Sequence, residues 1–133
     1  MQGYVLEATD GERMFNASGE VVIKVDPTQG SSDLSLGTQL VPPAVGIPRH
    51  VHAYWDEMIY VLDGSGIVTL NDERVPIQKG ATISSRRGSG MGLKTLTRDC
   101  SSCGRPRRPG RRNFSARFLA VLANQSKIFR GSK

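Results

Sequence analysis

Acid is what the second half of this chain lacks. From Gly80 onward a single carboxylate, Asp99, stands against thirteen Lys and Arg, a net of +12, whereas residues 1–79 hold five bases and eleven acids, a net of −6. The overall formal charge of +6 therefore averages two unlike compositions that meet at Gly80. Aromatic residues are also few, at 6% of the chain, and none lies between Arg105 and Arg112. An Arg run without interleaved aromatics could neutralise phosphates but offers bases nothing to stack on, so the expectation is no nucleic-acid partner.

Long apolar runs are missing as well. No segment approaches the length that spans a bilayer, which excludes a membrane-spanning helix from the expected design. The start, MQGYVLEATDGERMF, has no basic stretch followed by an apolar run and a small-residue cleavage site, and the expectation is a soluble cytoplasmic protein. Cysteine is scarce: Cys100 and Cys103 are the only two, with no second pair to complete a structural zinc site unless His50 and His52 joined them. Reduced thiols are the expected state. At 133 residues the chain is long enough for one domain with a sizeable core.

Histidine too occurs only twice, and both copies fall in one stretch, GIPRHVHAYWDEMIYVLDGSG, from Gly46 to Gly66. In an extended strand, residues two apart project to the same side, so His50 and His52 present their imidazoles together. Glu57 follows at the head of Met58–Leu62, a run of β-branched and aromatic residues, and Asp63–Gly66 is turn chemistry. Glu57 is therefore expected on a strand lying beside the His strand. Two neutral imidazoles and a carboxylate supply three ligands for a divalent first-row metal and leave positions open. The plainer reading is a surface His-x-His with a solvated glutamate.

The spacing His-x-His-x4-Glu-x6-Gly, formed by His50, His52, Glu57 and Gly64, resembles the first signature motif of the cupin family, with Ala44 where that motif usually opens with Gly. The resemblance implies an all-β double-sheet jelly roll and a divalent ion, Fe, Mn, Ni or Zn, held inside it by His50, His52 and Glu57. It also implies a small-molecule ligand and a homodimer.

Other segments read as strands independently. Val21–Val25 is one, 26–33 (DPTQGSSD) a loop, and Leu34–Val41 a partly alternating, half-buried strand. Ile67–Leu70 and Arg74–Ile77 flank a turn at Asn71–Glu73, with Pro76 expected on an edge or at a bulge. Short strands at regular spacing with turns between them argue for a sandwich or barrel.

After Gly80 the strand pattern fades. The second cupin motif, Gly-x5-Pro-x-Gly-x2-His-x3-Asn, would carry the remaining histidine ligand. Counted from Gly80, the chain has Arg86 at the Pro position, Gly88 at the Gly, Met91 at the His and Thr95 at the Asn. One of the four matches. Read one frame over, with free choice of wobble bases, Ala81 to Arg98 permits DDFIPPGVWHGLENPDA, which restores the missing motif at full spacing. The expectation is thus an N-terminal portion of one cupin barrel in residues 1–80 and a basic, poorly ordered, out-of-frame tail in 81–133. Within that tail, Phe114, Phe118, Val121 and Leu122 also stand at helical spacing behind Asn113 as N-cap.

Three classes of function are open from sequence. One is a metal-dependent enzyme of the dioxygenase or isomerase type, impaired by loss of the fourth ligand yet still holding a two-His-one-carboxylate set. Another is a non-catalytic cupin that senses or binds a small ligand. The third is a basic interaction protein acting through its tail.

Overall fold

The computed structural model describes residues 3–29, 34–95 and 116–123. They form ten strands in two antiparallel sheets: β1 (Glu12–Asn16), β2 (Gly19–Val25), β3 (Leu34–Val41), β4 (Gly46–Val51), β5 (Asp56–Asp63), β6 (Ser65–Leu70), β7 (Glu73–Gln78), β8 (Thr82–Ser85), β9 (Gly90–Thr95) and β10 (Ala116–Ala123). One sheet has the order β1-β2-β3-β10-β5-β8 and the other β4-β9-β6-β7. A 3-10 turn at Pro27–Gln29 is the one helical element among the described residues, and no helix there is long and apolar enough to cross a membrane. The all-β, double-sheet architecture expected from the sequence is the one observed.

The alternation of side chains explains the layers. Along β5, Glu57, Ile59 and Val61 are buried while Met58, Tyr60 and Leu62 face out. Val68 on β6, Ile83 on β8, Leu93 on β9 and Phe118 on β10 meet them in the interior. Each such aliphatic or aromatic side chain, fully buried, contributes about 1.5–3 kcal/mol to folding.

Several boundaries match the sequence reading. Leu34–Val41 is a strand over its whole expected length, and Pro76 lies on β7, the edge strand of the smaller sheet, where its missing N–H leaves no gap in an inner ladder. The 3-10 turn falls within the expected loop, and residues 30–33 of that loop lie outside the described residues.

Past Gly80 strand pairing continues among the described residues: β8 joins β5 and β9 sits between β4 and β6. Ala116–Ala123, where the spacing allowed a helix, is a strand inserted between β3 and β5 and bonded on both sides. The sequence ARFLAVLA has apolar residues at both odd and even positions, so it carries no period-2 signal. The Arg run at 105–112, both cysteines and Asn113 lie outside the described residues.

The turn from β3 to β4 is Pro42–Val45, closed by Val45 N–H donating to Pro42 O at 3.2 Å, with Ala44 at φ 62°. A positive φ at the third position of a turn is the reason a glycine is favoured there. Thr95 braces this turn from β9: its Oγ1 lies 2.7 Å from Pro42 O and 2.8 Å from Val45 O, and its N–H donates to Val45 O at 3.1 Å.

Candidate metal centre

Strand β4 does not run regularly into β9. Ile47 pairs with Leu93 and His50 with Met91, so two residues, Pro48 and Arg49, oppose the single Gly92. This is a β-bulge, a device that re-aims side chains and is common at sheet edges. Without it, Ile47 and His50, three apart, would face opposite sides. With it, both point inward, opposite Leu93 and Met91. Pro48 suits the bulge because it has no N–H for the ladder. Gly92 suits it too: a Cβ there would stand 3.2 Å from the Arg49 Cα.

His52 lies just beyond β4, two residues on and on the same side as His50. The two rings stand edge to face, with centroids 4.9 Å apart. The Nδ1 of His50 lies 2.9 Å from Pro48 O. Donation to that carbonyl puts the proton on Nδ1 and leaves the Nε2 lone pair free, the orientation that metal-ligating histidines use. The backbone of His52 is pinned by Gly88 N–H, which donates to its carbonyl at 2.8 Å. Trp55 packs on the His52 ring, with centroids 5.5 Å apart, and its buried Nε1 has no hydrogen-bond partner.

Glu57 arrives from the other sheet. The sequence suggested strands lying side by side, but β4 and β5 belong to different sheets, and the carboxylate faces the imidazoles across the interior. Period-2 alternation fixes which side of a strand a residue occupies, and it is silent on which sheet the strand joins. Glu57 is only 8% exposed. Its Oε2 is buried and lies 3.3 Å from His52 Nε2 and 3.8 Å from His50 Nε2. Burial pushes the carboxyl above its ordinary value of 4.5, and the nearby His52 and His50 work in the opposite direction.

One potential ligand atom from each of His50, His52 and Glu57 falls within 4.8 Å of the others. Metal–ligand bonds of about 2.0–2.2 Å leave neighbouring donors roughly 3–4 Å apart, so a small inward adjustment would close the set around an ion. The chemistry also fits: a buried carboxylate oxygen whose imidazole partner stands at 3.3 Å is an expensive arrangement, and a cation would supply a closer partner.

Residues 37–94 match the Cupin_2 family model, the cupin domain. The fold is that of a cupin. Among solved structures, KdgF from Halomonas sp. aligns with a TM-score of 0.70 at 13% identity, over 96% of this chain and 99% of that one. A Thermotoga maritima protein described as a predicted oxalate decarboxylase aligns at 0.68 and 21%, over 91% and 99%. The Schizosaccharomyces pombe Cnp3 cupin domain aligns at 0.63 and 13%, over 79% of this chain and 64% of that one, so this chain spans about two thirds of its length. No curated protein matches the chain.

All three residues singled out from the sequence are thus brought together in the cupin interior. What the sequence reading did not use was the neighbourhood that aims them: the bulge, the Pro48 carbonyl, Trp55 and the inward-facing Met91. Gly92 opposite a Pro-containing edge strand was the available sign of the bulge.

Proposed function

We propose that this chain is a member of the cupin family that holds one divalent first-row metal ion through His50, His52 and Glu57 and uses it on a small-molecule ligand. The observation that carries the reading is the convergence of two imidazole nitrogens on the buried Oε2 of Glu57. When bound, such an ion acts as a Lewis acid on an oxygen of the ligand. The chain's own part is to aim the ligand set: Pro48 O fixes the His50 ring, Gly88 N–H holds the His52 backbone, and burial keeps the Glu57 carboxyl out of water.

The test is the metal content of the purified full chain, with Cys100→Ser and Cys103→Ser to remove thiolate ligands. One ion per chain, lost on His52→Ala, is the expected result. The same content in His52→Ala would overturn the assignment. Turnover of a small substrate separates a metal-dependent dioxygenase or isomerase from a binding module. A binding module is the second reading, because the positions that three protein ligands leave open can hold a small ligand whether or not chemistry follows.

The assembly proposed is a homodimer, supported by the exposed Met58, Tyr60 and Leu62 on the outer face of the larger sheet. Light scattering on the eluting protein tests it, and a monomeric mass at tens of micromolar would contradict it.

For the segment after Gly80 we propose a coding frameshift. The charge break at residue 80 and the second motif recovered in the shifted frame support it. The nucleotide sequence decides the matter: a wobble base other than C at Gly90 removes the shifted histidine and the proposal with it.

A further inference from the structure

Trp55 and Glu57 flank the same imidazole. The Oε2 of Glu57 lies 3.3 Å from His52 Nε2, and the Trp55 ring packs on the His52 ring with centroids 5.5 Å apart and planes inclined by 36°. Trp55 stands just before β5 and two residues before Glu57, the spacing that shares a face in an extended chain, and its contact with His52 puts it on that face. Trp55 is the only tryptophan of the chain and is partly exposed, yet its Nε1 is buried and without a hydrogen-bond partner. Buried indole N–H groups usually find a partner, because an unpaired buried donor is destabilising.

An indole N–H only donates, so the partner it lacks is an acceptor. Charge narrows the kind. Two neutral imidazoles and one carboxylate leave a single positive charge on a bound divalent ion, and an uncompensated charge away from water is costly, so an anion is favoured beside it. We propose that the ligand of this site is a small carboxylate, with one oxygen in an open position on the ion and the other accepting from Trp55 Nε1. The proposal rests on the metal centre assigned to His50, His52 and Glu57 and goes beyond it in naming the ligand's chemistry and the residue that recognises it. A hydrogen bond to an ionised acceptor is of the stronger kind. The indole therefore favours a carboxylate over a metal ligand such as imidazole, whose second nitrogen is a donor once the first is on the ion.

The experiment uses the full chain carrying Cys100→Ser and Cys103→Ser, so that no cysteine competes for metal. One tryptophan gives one indole N–H resonance. Acetate added to the Zn(II)-loaded chain is expected to move that proton resonance downfield, as an N–H does on gaining an acceptor, and imidazole is not. Dissociation constants for both probes follow from the visible absorption of the Co(II)-loaded chain. Trp55→Phe keeps a ring against His52 and removes the donor. It should weaken acetate by about tenfold or more while imidazole affinity and metal content stay within about threefold. The resonance needs no variant, so it decides the matter even if Trp55→Phe folds poorly. An indole resonance that acetate leaves in place, equal loss of both probes in Trp55→Phe, or no loss of either would overturn the proposal. Metal bound without a response to acetate would defeat the carboxylate site alone, and a chain that takes up neither Zn(II) nor Co(II) would defeat the metal centre with it.

Discussion

The Nε2 of His52 lies 3.3 Å from the Oε2 of Glu57, and the two side chains come from opposite sheets of the barrel. An ionisable pair that bridges the layers couples the charge state of the interior to the stability of the fold.

Burial is the main influence on Glu57 and raises its pKa above 4.5, so between that value and the elevated one the folded chain holds more protons than the unfolded chain. The stability this group contributes is in place below the unfolded value and is lost as pH rises through the folded one. Glu57→Gln removes the dependence. In metal-free buffer the urea midpoint of the variant should gain on that of the wild type as pH rises from 4 toward 7. Parallel curves would show that the carboxyl is not held in a desolvated state.

Gly92 tests the bulge. A methyl at this position would meet the Arg49 backbone at 3.2 Å, so Gly92→Ala must displace the bulged segment that turns His50 inward. Metal affinity is expected to fall by tenfold or more, while overall stability drops by only about 1–3 kcal/mol, as overpacking usually costs. Unchanged metal affinity with a destabilised fold would indicate that the bulge does not orient the histidine.

Ala44 tests the opening turn. A non-glycine residue at φ 62° is strained by roughly 1–2 kcal/mol, offset in part by the extra chain entropy of glycine. Ala44→Gly should therefore stabilise the protein by up to about 1 kcal/mol, read from chemical denaturation. Destabilisation would mean that Ala44 is not in the left-handed region.

Phe118 tests the insertion of β10 between β3 and β5. The side chain is 2% exposed among the core residues, and Phe118→Ala should lower stability by about 3–5 kcal/mol. An unchanged denaturation midpoint would contradict the placement of this strand in the barrel.

Much of the first half was legible in the sequence from composition and turn signals. Met58–Leu62 is a run of β-branched and aromatic residues ending in turn chemistry, and Leu34–Val41 alternates in part, although its burial in the structure shows no period and is complete only at Val41. The site residues were legible because His-x-His and a strand-leading glutamate are few-residue signals that composition cannot blur. The later strands were hidden for separate reasons. β9 reads GMGLKT, and two of its residues are glycines that ordinarily mark a loop, although here Gly92 faces the bulge and Met91, Leu93 and Thr95 fill the interior. β10 reads ARFLAVLA, with apolar residues at both odd and even positions, so its pattern fits a helix equally well. The choice of sheet for β4 and β5 is set by long-range pairing with β9 and β10, which no local pattern records.

The most direct test of the metal centre is X-ray absorption on the Ni(II)-loaded chain carrying Cys100→Ser and Cys103→Ser. Two imidazoles, recognised by scattering from their outer ring atoms, together with oxygen ligands at about 2.0–2.2 Å, are the expected result, and Glu57→Gln should remove one of the oxygens or release the ion. A spectrum with one imidazole or none, or one that His52→Ala leaves unchanged, would contradict the assignment.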